Sequence, residues 1–550
     1  MTIQTVSTQA YSGQRPGTSG LRKKVKTFLQ PLYLDNFVQA LFDVLNASDA
    51  SGQALHGQTL VLGGDGRYHN REAIASILRL AAANGVAKVV LGREGLLSTP
   101  AASAVIRKRG AFGGVILSAS HNPGGLNGDF GIKYNTSNGG PAPESLTEAV
   151  YCKTQSIRQL RYSDAPAIDI DRLGVQLIED MQVEVIDPVA DYLELMRGLF
   201  DFEAIRGLFK KDFRILVDAM NAVGGPYARA ILEGELGAPP GSVIHADPLP
   251  DFGGLHPDPN PVHAASLVAH MTGTQVPDFG AALDGDADRN MILGRGMVVN
   301  PSDSLAIMAA NAHMIPAYRQ GLLGVARSMP TSTAVDRVAQ ALKIPSYETP
   351  TGWKFFGNLL DAQRASLCGE ESYGTGSDHV REKDGLWAIL FWLNMLAVSG
   401  RSVDSLVREH WRTYGRTYYT RHDYEDLSTE VADQLMNGLR SFGKHLAGKS
   451  FGSRTLILAD DFAYTDPVDG TVTERQGLRF VFNDGARVIF RLSGTGTQGA
   501  TLRIYMELHE ANPDRHNRAL ALATAELAAW ANAISGVSLR TGRKVPSVVC

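Results

Sequence analysis

Cysteine is scarce in this chain of 550 residues: Cys152, Cys368 and Cys550 are widely spaced and form no CxxC pair. Three distant thiols argue against a disulfide framework or a cysteine zinc site and fit a reducing, cytoplasmic setting. Cys368 is read as a small packed residue rather than a nucleophile. Long apolar runs are also missing. The longest, Leu386–Val398, is interrupted by Asn394 and falls short of the roughly 20 residues that span a bilayer. A buried core helix is predicted there, and no membrane partner. The opening MTIQTVSTQAYSGQRPGTSGLRKK lacks the apolar stretch of a signal peptide. Net charge is nearly absent: 53 basic and 57 acidic residues leave −4, which gives no reason to expect nucleic acid as a partner. A small anionic ligand remains open, because local clusters decide that. Low-complexity tracts are lacking, Ser120 has no GxSxG elbow of serine hydrolases around it, and the Gly-rich run after Arg491 does not follow the GxxxxGK[ST] phosphate-loop pattern.

What is present is ordinary in bulk and patterned in detail. Apolar residues make up 44% and charged residues 20%, as in soluble globular proteins. The length exceeds one core, so several units of about 100–200 residues are predicted. Short apolar runs repeatedly end in a Gly-rich or polar loop, and an amphipathic stretch often follows. Thr59–Arg67, Gly113–Gly125, Arg214–Gly225, Phe279–Asn290 and Gly324–Ser332 share this form. Such alternation predicts an α/β fold with parallel or mixed sheets, and ligands then bind beyond the strand C-termini. The Pro-rich His245–His263 reads as a long loop.

Four loops carry groups suited to chemistry. Asp284, Asp286 and Asp288 alternate directly after an apolar strand. In an extended chain the outer two would lie about 13 Å apart, so one ion can gather them only if the loop curls, which Gly285 would ease. Oxygen donors suit a hard cation such as Mg²⁺. An EF-hand is excluded because Arg289 and Arg295 occupy its Gly and Glu positions; a solvated acidic turn is the plain alternative. Ser118-Ala119-Ser120-His121-Asn122-Pro123-Gly124-Gly125 could expose a serine nucleophile or be a turn of small residues. Arg491, Ser493, Gly494 and Thr495, with Arg503 on the next strand-like run, could wrap a phosphate or form an ordinary hairpin. Glu370 and Ser372 in GEESYG offer groups for sugar hydroxyls, against a charged turn by default. The basic groups Arg22-Lys23-Lys24 and Arg381-Glu382-Lys383 read first as solvated surface.

Taken in order, these loops resemble those of the α-D-phosphohexomutase superfamily, and the likeness runs from Pro16–Val25 to Arg540–Pro546. SASHNPGGLNGDFGIKYNTSNGGPAPE, ETPTGWKFFGNL, GEESYGTGSDHVREKDGLWA and RLSGTGTQGATLRIY resemble its glucose-handling branch. The resemblance implies three related α/β domains and a smaller α+β C-terminal domain around a central cleft, with boundaries expected at 1–192, 193–305, 306–421 and 422–550. It implies interconversion of glucose 1- and 6-phosphates by a monomer or homodimer. Ser120 would carry the phosphoryl group. Mg²⁺ would sit on Asp284, Asp286, Asp288 and the Ser120 phosphate, and glucose 1,6-bisphosphate would be intermediate and activator. Arg22 and Arg289 would face the reacting phosphate. Thr351, Gly352, Glu370 and Ser372 would orient the sugar. Arg491, Ser493, Gly494, Thr495 and Arg503 would grip the other phosphate. His121, Lys133 and Lys383 would handle protons or stabilise charge, Lys383 acting as a base only where burial or nearby cations lower its pKa. Ala287 stands where the family has Gly; a positive φ there would strain the loop by about 1 kcal/mol or more. The alternatives are a mutase for mannose or N-acetylglucosamine phosphates, and a binding protein that has lost catalysis.

Overall fold

The computed structural model describes residues 3–17, 19–493 and 499–550. Four sheets dominate it. The first runs in space as Leu21–Lys24, Asp129–Thr136, Gly113–Leu117, Thr59–Gly64, Lys88–Leu96, Met181–Ile186 and Gly174–Ile178, and its central strands are parallel. The second is ordered Val243–Ile244, Ile215–Asp218, Phe279–Leu283, Asn290–Gly294, Met297–Val298, and the third Ser346–Thr349, Val325–Ser328, Leu367–Glu370, Gly374–Ser377. The fourth is antiparallel and is built around Leu478–Phe482, Arg487–Ser493, Ala500–Glu510 and Arg416–Leu427. Three α/β units and a C-terminal α+β unit result.

The first three sheets share one device. Their last parallel strand, Gly113–Leu117, Phe279–Leu283 or Leu367–Glu370, turns back into an antiparallel neighbour. Each of these strands is buried along its whole length, as an apolar run covered on both faces must be. The three return loops leave the same end of their sheets and meet. Arg289 bridges to Gly374, the Asn290 N–H donates to the Tyr373 carbonyl at 2.9 Å, and the Thr99 N–H donates to the Asp286 carbonyl at 3.1 Å.

One core joins these three units, including Val61 and Ile116, Ala281 and Leu283, and Val325 and Leu367. The helix Gly385–Ser399 lies in it, buried from Gly385 through Leu396. Asp384 caps it by accepting the Trp387 N–H at 3.0 Å, and Gly400 ends it in the left-handed region. Among the described residues, no single helix is long and apolar enough to cross a membrane. The fourth unit has its own core, with Tyr424, Phe480, Phe490 and Trp530. It joins the third through Arg487, which lies 3.1 Å from the third unit's Glu348 and 2.6 Å from Glu507 of its own unit, while Glu348 also holds Arg327 at 2.9 Å.

The expected unit boundaries need correction. The division at 192/193 cuts the helix Ala190–Leu199, that at 305/306 cuts the helix Pro301–Asn311, and that at 421/422 cuts the strand Arg416–Leu427. A hydrogen-bonded element stays whole, so the breaks lie before Ala190, near Asn300 and at Gly415. Composition marks a change of texture, and that change lags behind the start of each element.

Trp392 tests the central helix, since it is fully buried and donates its indole N–H to Ser304 Oγ at 2.9 Å. We expect Trp392→Ala to cost about 3–5 kcal/mol, seen as an earlier first transition in urea. An unchanged midpoint would show that the helix is not a core element.

Candidate active site

The site begins at Ser120. Its φ of 50° is left-handed, a conformation that L-residues other than Gly and Asn seldom hold without support. Support comes from Ser118 Oγ, which accepts the Ser120 N–H at 2.7 Å, and from Arg67, whose Nη2 donates to the Ser120 carbonyl at 2.7 Å. The Ser120 hydroxyl donates to Asp284 Oδ2 at 2.8 Å. Ser120 is 1% exposed, which corrects the expectation of an exposed nucleophile: the loop is folded inward onto the acidic loop.

The acidic loop curls as one ion would require. Asp284, Asp286 and Asp288 each offer an oxygen, all within 4.8 Å of one another. The left-handed residue that makes the curl is Ala287, with φ 61°, so the expected strain is present. Gly285 serves a different end: a Cβ there would collide with the Ser120 carbonyl. Asp284 Oδ1 accepts the N–H groups of Asp288 and Arg289 at 2.9 and 3.1 Å. Asp286 Oδ2 accepts the Thr99 hydroxyl at 2.6 Å. Asp286 Oδ1 and Asp288 Oδ1 are buried with no hydrogen-bond partner among the described residues. Leaving such acceptors bare costs about 1–3 kcal/mol each or more, so the donor set fits a hard cation. Burial, then the Asp288 and Asp286 charges, push Asp284 well above the usual carboxylate range. Burial acts the same way on Asp286, but Lys133, Thr99, Lys383 and Arg22 overcome it and hold that group low.

Cations ring this loop. Lys383 Nζ lies 3.0 Å from Asp288 Oδ2, and Lys133 Nζ lies 3.8 Å from Asp286 Oδ2 and 3.3 Å from Glu382 Oε1. Arg289 Nε lies 3.9 Å from both Asp284 and Asp288. Arg22 Nε and Arg289 Nε are buried without hydrogen-bond partners. Burial opposes the charge of Lys383, yet Asp288, Glu370 and Asp286 together outweigh it and the ammonium is held above its ordinary pKa. Burial, then Arg289 and Arg22, push His121 well below the usual imidazole value. Two surface readings are overturned: Arg381 and Glu382 are buried and paired, and Arg22 faces Asp286 and Asp288.

The remaining predicted residues lie on the third and fourth sheets and the loops beside them. Glu370 Oε1 accepts the Gly352 N–H at 3.1 Å. Thr351 Oγ1, beside Gly352, is buried without a partner, and Ser372 is half-buried in the loop after Glu370. On the fourth sheet Arg491 and Arg503 lie directly opposite each other on adjacent antiparallel strands, and Ser493 ends the first of them. Like charges placed so are destabilising; Arg503 Nε lies 3.7 Å from Asp423 Oδ2, and Arg491 donates to the Gln476 carbonyl at 3.2 Å and the Tyr505 hydroxyl at 3.4 Å. Gly494 and Thr495 lie outside the described residues.

Sequence reasoning missed several partners. Arg67 is fully buried, and its fork also reaches the Asp129 carbonyl at 2.9 Å and Asp65 Oδ2 at 2.8 Å. Thr99 and Glu382 were missed too. The available signal was position: Asp65 and Arg67 end the first strand–loop run. Cys368 is buried, as expected.

Comparisons with known proteins agree with this geometry. Models of phosphoglucomutase/phosphomannomutase α/β/α domains I, II and III match residues 13–161, 190–296 and 300–414, and a phosphoglucomutase-1 C-terminal domain model matches 416–547. A phosphoglucomutase of Rhizobium radiobacter is 55% identical over 547 residues, covering 100% of both chains. Human phosphoglucomutase-1 is 50% identical over 564 residues, covering 100% of this chain and 99% of its own. The open form of Paramecium parafusin, a phosphoglucomutase, superposes with a TM-score of 0.92 at 47% identity, covering 100% of this chain and 99% of that one. Its sequence, its four units and its convergent loops place the chain in the phosphoglucomutase/phosphomannomutase family.

Proposed function

We propose that the chain interconverts α-D-glucose 1-phosphate and α-D-glucose 6-phosphate, with Ser120 as phosphoryl carrier and glucose 1,6-bisphosphate as intermediate and activator. One observation carries this reading: a buried serine hydroxyl 2.8 Å from a carboxylate of the three-Asp loop. Phosphoryl transfer needs in-line placement and positive charge around the moving oxygens. Asp284, Asp286 and Asp288 would hold Mg²⁺, which when bound supplies Lewis-acid polarisation of the seryl phosphate. Arg22, Arg289, Lys133 and Lys383 add fixed cations on the same side. Proton transfer falls to His121, beside Ser120 in the chain, or to Lys133 or Lys383, which pair with Asp286 and Asp288. Glu370, Ser372, Thr351 and Gly352 orient the sugar. Arg491, Arg503 and Ser493, with Gly494 and Thr495 of the same loop, grip the phosphate that is not reacting. Burial of the serine keeps water from hydrolysing the phosphoenzyme. Three free thiols suit a reducing cytoplasm.

The direct test is turnover of glucose 1-phosphate against mannose 1-phosphate with Mg²⁺ and a bisphosphate activator. Glucose 1-phosphate is expected to be the faster. A preference for mannose would reassign Glu370 and Ser372, and no turnover of either would remove the mutase reading.

Ser120→Ala is expected to abolish turnover, a loss of about 10⁴-fold or more, while the unfolding transition is retained. Intact mass should then show no phosphate on the variant and one on the wild type. Near-normal activity would rule Ser120 out as carrier. Asp286→Asn is expected to raise the Mg²⁺ concentration for half-maximal activity by about 10-fold or more; an unchanged metal titration counts against the site.

A further inference from the structure

The segment 379–384 carries three charged side chains inward, each to a different neighbour. Arg381 Nε donates to Asp361 Oδ1 at 2.6 Å. Glu382 Oε1 accepts Asn135 Nδ2 at 2.9 Å. Lys383 reaches Asp288 at 3.0 Å. Its stem crosses Gly374, where a Cβ would run into Lys383 Cδ. Something must hold a loop that buries so much charge.

The two ends of the segment supply it. His379 Nε2 lies 3.0 Å from Asp384 Oδ2, and His379 Nδ1 lies 2.6 Å from Ser377 Oγ. Ser377 Oγ is 2.5 Å from the Tyr318 hydroxyl, and Asp384 Oδ1 accepts the Tyr192 hydroxyl at 2.6 Å. One hydrogen arrangement satisfies every atom: Tyr318 donates to Ser377, Ser377 to Nδ1, Nε2–H to Asp384, and Tyr192 to Asp384. Both the imidazole and the Asp384 side chain are fully buried, and the imidazole stacks on Trp387 at 5.1 Å. Serine, histidine and aspartate here do not form a hydrolase triad. Ser377 is fully buried, and it binds Nδ1 whereas in that triad the serine faces Nε2.

We propose that His379 is a positioning residue for phosphoryl transfer: held between Ser377 and Asp384, it clasps the ends of the segment 379–384 and so fixes the Lys383 ammonium against Asp288. The backbone beyond Lys383 is pinned to match. The Asp384 N–H donates to the Thr375 carbonyl at 2.8 Å, and the Gly385 N–H donates to the Ala287 carbonyl at 3.0 Å, beside the acidic loop. A misplacement of about 1 Å at a reacting centre costs on the order of 100-fold in rate. The inference rests on the mutase reading for its kinetic arm alone.

The test compares His379→Leu with His379→Gln. A Gln amide can still donate to Asp384 and accept from Ser377, whereas Leu can do neither. We expect His379→Leu to lower kcat by about 30-fold or more with KM for glucose 1-phosphate nearly unchanged, and His379→Gln to recover most of that loss. A second readout needs no activity: amine-reactive labelling followed by peptide mass spectrometry. Lys383 and Lys133 have side chains 11% and 8% exposed and should both be protected in the wild type. In His379→Leu, Lys383 alone should label faster. If both lysines label, the variant has unfolded, and the milder Ser377→Ala decides by the same two readouts. Wild-type protection with no change of Lys383 labelling or kcat in a folded variant overturns the proposal. A wild type inactive on glucose 1-phosphate overturns the mutase reading instead, and the labelling result alone then decides whether the clasp holds Lys383.

Discussion

Negative charge crowded into a buried loop is the constraint on which the rest of this structure depends. Three carboxylates with oxygens within 4.8 Å of one another repel strongly where water is excluded. Every sheet of the first three units sends something to offset them. The first sends the Ser120 hydroxyl, the Thr99 hydroxyl and Lys133. The second supplies Arg289 and its own backbone N–H groups. The third sends Lys383. The units are therefore joined by a shared electrostatic problem as well as by apolar packing, and two oxygens are still left for a cation.

This arrangement also accounts for the burial of polar groups that a surface would tolerate at lower cost. Arg67 lies fully buried because the left-handed Ser120 needs its carbonyl held. Glu382 lies buried because Lys133 and Asn135 both need an acceptor. Such groups are stable only when each is paired. Among the described residues that pairing is incomplete: Arg22, His121, Arg289, Thr351 and Arg503 each leave a buried atom without a hydrogen-bond partner, as do residues elsewhere in the fold such as Trp387 and Trp530.

The sequence made much of this legible. Apolar runs ending in polar loops marked Gly113–Leu117 and Phe279–Leu283 as strands, and the run Leu386–Val398 marked the core helix, because period and burial are local properties; the short strand Leu367–Glu370 was not marked. The acidic loop was legible for the same reason. The cationic partners were not. Arg381 and Glu382 look like surface charge because their pairing partners, Asp361 and Asn135, lie far away in the chain. Arg67 was marked only by its position at the end of the first strand–loop run, because its task, holding the carbonyl of residue 120, leaves no mark in composition. The role of Gly285 was misread because the demand on it comes from another loop's backbone and not from its own torsions. Boundaries failed where texture and hydrogen bonding part company, as within Arg416–Leu427.

If Arg491 and Arg503, opposite each other on adjacent strands, grip the phosphate that is not reacting, as proposed above, the pair bears on how isomers are told apart. A pair of planar cations answers to a doubly charged oxyanion and to nothing else about its carrier. It has no means of sensing which carbon of a hexose bears that group. A molecule charged at both ends can therefore leave this grip, turn end over end and be seized again with equal strength. On the proposed reading, indifference at one end of the cleft would let the same intermediate present either of its ends to the serine.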